Sequence, residues 1–149
     1  MQLFLLMMLP GDAAMALCNQ HICSQARETM QILITLLHLW GVTPDGPVDC
    51  GEHGERKVYA PAYRKHPCVL WAAACRMHAN WVYMHARVLC AEYTRRSVDG
   101  KKHLCEYHLD HYAAHIKAHG YPAEMPTTIS PAEWLATFDD ETRAGLDWR

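Results

Sequence analysis

The chain has 149 residues, the size of one domain with its own core, and half of them are hydrophobic, which excludes a disordered chain. Its net charge is −2 with neutral His, which excludes a strong basic field over the whole surface. Eleven His residues make the chain more cationic in mild acid, because His titrates near pH ~6.5. We therefore expect a single domain over residues 1–149.

The Cys residues and the apolar start bear on the cellular compartment. Seven Cys at irregular spacings, with no CxxC pair, do not indicate a disulfide framework, so we expect reduced thiols in a cytoplasm. The start MQLFLLMMLP lacks a basic n-region and a small-residue cleavage site. Residues 2–9 are therefore predicted to form a short buried strand or extended segment, and neither a signal peptide nor a membrane span.

The remaining pattern predicts a compact, mostly α-helical fold with three main helices. In chain order we expect an N-terminal segment (1–11), a helix (12–40), a loop (41–67), a helix (68–98), and C-terminal helices with a tail (101–149). Asp12 is predicted to cap the first helix and Gly41 to follow its end. Ser130 before a Pro, with Glu133 three residues on, predicts the start of a short C-terminal helix.

The first helix carries a polar face. His21 and Glu28 are seven residues apart and so share one azimuth, with Gln25 between them and Arg27 about a quarter-turn further round. The predicted core face lies elsewhere and comprises Met15, Ile22, Ala26, Met30, Leu33 and Leu37. The polar face is either ordinary solvated surface or one wall of a cleft that a second element closes.

The segment YRKHPC is the candidate for that second element. It places Tyr63, Arg64, Lys65 and His66 directly before a predicted helix, and Pro67 keeps His66 extended. Two cations beside exposed backbone N–H groups suit a phosphate. The alternative is a rigid helix entry with solvated charges.

A metal site is a further alternative, because His and Cys are abundant. CGEH at residues 50–53, the His66/Cys68 pair and the series His108, His111 and His115 have ligand-like spacings. A second closely spaced pair is not evident, so we interpret the third helix as a solvated His-rich face and expect neither a metal nor a cofactor. The motifs HEXXH, GxSxG, GxGxxG and the P-loop are absent.

Three segments in this order resemble the pyrimidine-dimer DNA glycosylase/AP-lyase superfamily of the phage endonuclease V type. They are the short start MQLFLL, the helical QHICSQARE and the turn YRKHP. Phage and viral members with an HPCxxW motif are closer still, through YAPAYRKHPCVLW and LCAEYTRR. The resemblance covers roughly residues 1–98 and implies a protein of an infected host cell.

The resemblance also implies a mechanism. In that family the α-amine of the chain attacks the sugar of a damaged nucleotide, and a Glu, here Glu28, stabilises charge and moves protons. His21, Arg27 and His66 would hold phosphate or the opened sugar. The phage enzymes begin with a small residue after Met removal, whereas Gln2 is large, so the amine is expected on Met1. The chain then either uses this shifted nucleophile or has lost the lyase chemistry.

Three functions follow as hypotheses. The first is a glycosylase/AP-lyase acting on damaged or modified DNA, with Tyr63, Arg64, Lys65 and Gln25 among its DNA contacts. The second is an enzyme on the same scaffold that acts on a free nucleotide, with the segment 41–60 as a lid. The third is a non-enzymatic viral binding protein, either with or without a stabilising zinc ion.

Overall fold

The structure, a computed structural model, describes residues 9–42 and 46–136. Within these ranges it forms six α-helices and one two-stranded antiparallel sheet, so the predicted mostly-α fold is confirmed. The elements are α1 (Pro10–Met15), α2 (Asn19–Leu39), β1 (Pro47–Asp49), β2 (Glu55–Lys57), α3 (Pro67–Ala73), α4 (Arg76–Arg96), α5 (Cys105–His119) and α6 (Pro131–Ala136). The strand predicted at 2–9 lies outside the described residues, except for Leu9, which is exposed and precedes α1.

The single helix predicted over 12–40 is wrong, because the chain breaks between α1 and α2. Cys18 is extended there, with φ −73° and ψ 162°. The guanidinium of Arg96, on α4, donates hydrogen bonds of 3.0 Å and 2.8 Å to the carbonyls of Met15 and Leu17. A side chain distant in sequence thus satisfies carbonyls that a continuous helix would have used.

The start and the orientation of α1 also differ from the expectation. Pro10 occupies the first turn after Leu9, so Asp12 lies inside the first turn and does not cap the helix. Because α1 is a separate helix, Met15 no longer follows the core stripe of α2 and is 52% exposed. Its assignment to the core was therefore wrong.

The helix predicted over 68–98 is likewise two helices. Cys75, between α3 and α4, is extended with φ −158° and ψ 163°. The N–H groups of Arg76 and Met77 donate to the carbonyls of Pro126 and Thr127, at 2.9 Å and 3.0 Å. The segment before α6 therefore supplies the acceptors for the first N–H groups of α4, and the chain can turn there.

The predicted loop over 41–67 contains a hairpin, β1 and β2, joined by a 3-10 turn at Gly51–His53. The carboxylate of Asp49 accepts the N–H of Gly51 at 2.9 Å, and Gly51 has a φ of +60°. A Cβ at Gly51 would lie 3.2 Å from the hydroxyl of Tyr107, so the turn favours glycine for two reasons. This paired segment is not a lid-like loop.

Two predicted helix ends are confirmed. After α2, Gly41 has a φ of +75°, and its N–H and that of Val42 donate back to the carbonyls of His38 and Leu37. Before α6, the Ser130 hydroxyl accepts the N–H of Glu133 at 3.2 Å, and the Glu133 carboxylate accepts the N–H of Ser130 at 2.9 Å. That reciprocal pair is a capping box.

The core lies mainly between α2 and α4. The predicted α2 stripe is confirmed, since each of its other members is at most 1% exposed: Ile22, Ala26, Met30, Leu33 and Leu37. Val82, Ala86 and Leu89 of α4 belong to the same buried cluster. None of the helices in the described ranges is both long enough and apolar enough to cross a bilayer.

The buried His108 predicts that the stability of the fold decreases in acid. His108 is 3% exposed and its ring packs at a tilt against Tyr59, with ring centroids 4.6 Å apart. Burial, and secondarily His111, lower the pKa of His108 to about 4. Because its folded pKa is below the unfolded value of about 6.5, the unfolded chain binds more protons as pH falls. The stability associated with neutral His108 is complete above pH ~6.5 and is lost towards pH ~4.

We expect the titration of His108 to lower the free energy of unfolding by about 2 kcal/mol at pH 5 relative to pH 7.5. Urea unfolding at both pH values measures it. In His108→Phe, which keeps a ring against Tyr59, the pH dependence should shrink by that amount. An unchanged difference between the two pH values in this variant would contradict the assignment.

Candidate active site

The turn before α3 is tied to the middle of α2. The buried Thr35 hydroxyl donates to the carbonyl of Gln31 at 2.7 Å and accepts the N–H of Ala62 at 3.0 Å. Tyr63 follows with a φ of +51°, and its carbonyl accepts the N–H of His66 at 2.7 Å. These bonds hold the YRKHP turn against α2.

His66 is fixed in one tautomer by its position before α3. Its Nδ1 accepts the N–H of Cys68 at 3.2 Å, so Nε2 is the protonated nitrogen of the neutral ring. Burial lowers the pKa of His66, and the negative charge of Glu28 opposes that shift. His66 is thus a neutral hydrogen-bond donor at pH 7.

Glu28 lies within electrostatic range of this turn, since its negative charge acts on the His66 ring. Its carboxylate accepts a hydrogen bond of 3.5 Å from Gln25, which is 1% exposed. A half-buried carboxylate within electrostatic range of a neutral imidazole can accept a proton or stabilise a developing positive charge. His21 lies on the same helix face and is exposed. Met1 and Gln2 lie outside the described residues.

The phosphate site predicted on the backbone N–H groups of α3 is wrong. Pro67 has no N–H, and the N–H of Cys68 is bound by His66. The N–H of Val69 donates to the carbonyl of His66 at 2.9 Å. The side chains of Arg64 and Lys65 on this turn are exposed, and their role as phosphate contacts stays a prediction.

Arg27 does not join Glu28 and His66. It lines a cleft of about 460 Å³ together with Tyr59 of the segment after β2 and with Lys101, Lys102 and His103 of the α4–α5 loop. Its positive charge lowers the pKa of His103, in addition to the larger effect of burial. The two neighbours Arg27 and Glu28 thus face different sides of α2.

Apart from Arg27 and His53, the residues that line this cleft were not identified from the sequence. Lys101 and Lys102 follow the Asp99–Gly100 turn and were placed in the predicted C-terminal helical region (101–149), whose first helix begins only at Cys105. A pair of lysines in a loop is a signal of local positive charge that could have been noticed. Their proximity to Arg27 depends on how α5 returns beside α2.

Metal binding receives no support in the part of the chain that the structure describes. No group of three or more His, Cys, Asp or Glu side chains there is placed to hold an ion. The Cys50 thiol is buried and contacts the carbonyl of Val48 at 3.6 Å, and His108 is buried against Tyr59.

One of three comparisons with known proteins gave a match, and it covers the segment that holds this site. The sequence model of the family described as pyrimidine dimer DNA glycosylase matches residues 1–106, which include α1 to α4, Glu28 and His66. A search of curated proteins and a search of solved structures each gave no match. The family match covers more than half of the 149 residues, and the chain therefore belongs to the pyrimidine dimer DNA glycosylase family.

Proposed function

We propose that this protein is a DNA glycosylase with AP-lyase activity that acts on a damaged or modified nucleotide. The observation that supports the proposal most is the family match over residues 1–106, a segment in which the negative charge of Glu28 acts on His66. Gln25 donates a hydrogen bond of 3.5 Å to the Glu28 carboxylate.

The proposed nucleophile is the α-amine of Met1. An α-amine ordinarily has a pKa near ~7.7, so a useful fraction of such groups is neutral at pH 7. The amine nitrogen forms a bond to the sugar C1′, and the glycosidic bond breaks with a proton delivered to the departing base. Ring opening gives a Schiff base between the amine and C1′. Loss of a C2′ proton then expels the 3′ phosphate by β-elimination and cuts the strand.

The surrounding side chains have separate tasks in this scheme. Glu28 stabilises positive charge at C1′ and shuttles the protons of the ring-opening steps. His66 donates its Nε2 proton to a sugar or phosphate oxygen. Arg64 and Lys65 hold phosphates near the site, and Tyr63, 69% exposed, can contact a base or sugar.

His21 and Arg27 are proposed to contact the DNA on either side of the reacting nucleotide. His21 lies towards the N-terminal end of α2, whereas Arg27 faces the cleft on the other side of that helix. A cationic guanidinium and an imidazole donor suit phosphate oxygens. No cofactor enters this scheme.

The activity is tested with labelled duplexes that carry one cyclobutane pyrimidine dimer, one abasic site or no lesion. We expect cleavage of the first two and none of the undamaged duplex. Cleavage of the abasic duplex alone would support the AP-lyase activity and would show that the pyrimidine dimer is not a substrate. If both lesion duplexes stayed intact at enzyme excess, the proposed function would be wrong.

The free-nucleotide hypothesis loses one of its two supports. The weak basicity of the chain still favours it, but residues 47–57 of the expected lid are a hairpin in which β1 packs against α5. A paired hairpin held against a helix is unsuited to opening and closing over a pocket.

A further inference from the structure

The last turns of α5 bring two imidazoles together. His115 and His119 are four residues apart, so they lie one above the other on the same side of the helix. Their ring centroids are 4.5 Å apart, and the ring planes are tilted by 33°. We propose that this pair binds a first-row divalent transition-metal ion through one nitrogen of each ring. No residue of the proposed glycosylase chemistry takes part, so the site is independent of the proposed function.

The spacing of the two rings suits a shared ion. An imidazole nitrogen binds Zn²⁺ at about 2.0–2.1 Å, so two nitrogens on one ion are separated by roughly 3 Å. Rings whose centroids are 4.5 Å apart reach that separation by rotation of the two side chains, and the helix backbone can stay where it is. His residues at positions i and i+4 of one helix face are an established way to bind Zn²⁺.

Both imidazoles are available to an ion. Neither ring forms a hydrogen bond or pairs with a carboxylate in the part of the chain that the structure describes. His119 is exposed and His115 is half-buried, so an ion reaches the pair from solvent. Burial lowers the pKa of His115, and the charges of His119 and His111 lower it further, so this ring is neutral at pH 7. The neutral imidazole is the form that binds a metal.

The fold holds the pair in place before an ion binds. Leu109 and Tyr112 of α5 are buried, and Ile116 packs against the same core cluster, so the ion need not order this helix. The helix ends at His119, and the N–H of Gly120 donates to the carbonyl of Ile116 at 2.8 Å. The helix dipole places partial negative charge at that end, which favours a bound cation.

This site differs from the closed zinc centres considered from the sequence. Such a centre has about four protein ligands, whereas no group of three or more candidate ligands lies together among the described residues. His108 is buried against Tyr59, so it does not join the pair. Two imidazoles leave the other positions of the ion to water, which makes the site an exchangeable one at the surface. The family match ends at residue 106, so the pair lies outside the matched segment.

Calorimetric titration of the tag-free protein with Ni²⁺ tests the site, because Ni²⁺ binds imidazole and does not oxidise the free thiols. We expect one ion per chain. His115→Gln and His119→Gln should each weaken the affinity at least about tenfold, since each variant lacks one of the two ligands. Gln is a good helix former, so α5 should stay folded in both variants. His38→Gln, in the last turn of α2, is the matched control and should bind Ni²⁺ as the parent does.

A second measurement follows stability. Because the ion binds the folded chain, saturating Ni²⁺ should raise the urea midpoint of the parent and of His38→Gln. It should leave the midpoint of His119→Gln unchanged, and the curve without Ni²⁺ shows whether that variant is folded.

The outcomes distinguish this pair from other ligands. Weaker binding in both α5 variants, with His38→Gln unchanged, would support the proposal. Parent-like affinity in His119→Gln would overturn it, and a loss in His111→Gln instead would assign the ion to His111 and His115. Equal affinity in all these variants would assign the ion to the thiols, and a parent that binds no Ni²⁺ would also overturn the proposal.

Discussion

Glu28→Gln is expected to reduce strand cleavage at an abasic site by about 10³-fold, within the usual range for loss of a general acid–base group. Gln keeps the shape of the side chain and can still bond to Gln25, but it cannot accept a proton or stabilise a cation by charge. Single-turnover cleavage at saturating enzyme measures the chemical steps directly.

Glu124→Gln is the matched control, because Glu124 is exposed and lies well after the turn and helices that form the site. It should cleave at the parent rate. Unfolding curves for both variants separate a chemical defect from a folding defect. A Glu28→Gln protein that is folded and retains more than about a tenth of the parent rate would remove Glu28 from the chemistry.

Arg96→Ala is expected to have the largest effect on stability, about 2–4 kcal/mol of unfolding free energy. The guanidinium bonds to the carbonyls of Met15 and Leu17, to the side chain of Asn19 and to the carboxylate of Glu92. Its removal leaves carbonyls at the α1–α2 junction without donors and takes one cation from a carboxylate that is 9% exposed. Urea unfolding measures the loss.

Arg95→Ala provides a matched comparison, since Arg95 pairs with the same Glu92 but is 67% exposed and makes no contact with the α1–α2 junction. It should cost much less than Arg96→Ala. Equal losses in the two variants would show that the ion pair with Glu92 matters and the junction does not.

The limits of prediction are clearest at the two helix breaks. The buried stripe of α2 follows from a 3.6-residue period, and Gly41 and Ser130 mark helix ends through local chemistry. The breaks at residues 16–18 and at Cys75 have no Gly or Pro at the break. They depend on Arg96 and on the carbonyls of Pro126 and Thr127, which are partners far away in sequence. A local pattern cannot contain such contacts.

In the candidate site too, relations within one helix could be predicted from the sequence, whereas contacts between elements could not. Helical spacing predicts that His21, Gln25 and Glu28 share a face, because that relation lies within one element. The separation of Arg27 from Glu28 could also be foreseen from the quarter-turn between them. The residues that lie near Arg27 could not be foreseen in this way. Lys101 and His103 reach it only through the packing of α5 and the loop before it.

The most direct test of the proposed chemistry is borohydride trapping on an abasic duplex, followed by proteolysis and mass mapping of the adduct. Borohydride reduces the Schiff base between an amine and C1′ to a stable bond and marks the nucleophile. We predict one adduct, on the peptide that carries the α-amine of Met1. An adduct on a lysine side chain, or none while the strand is still cut, would contradict the N-terminal amine as the nucleophile.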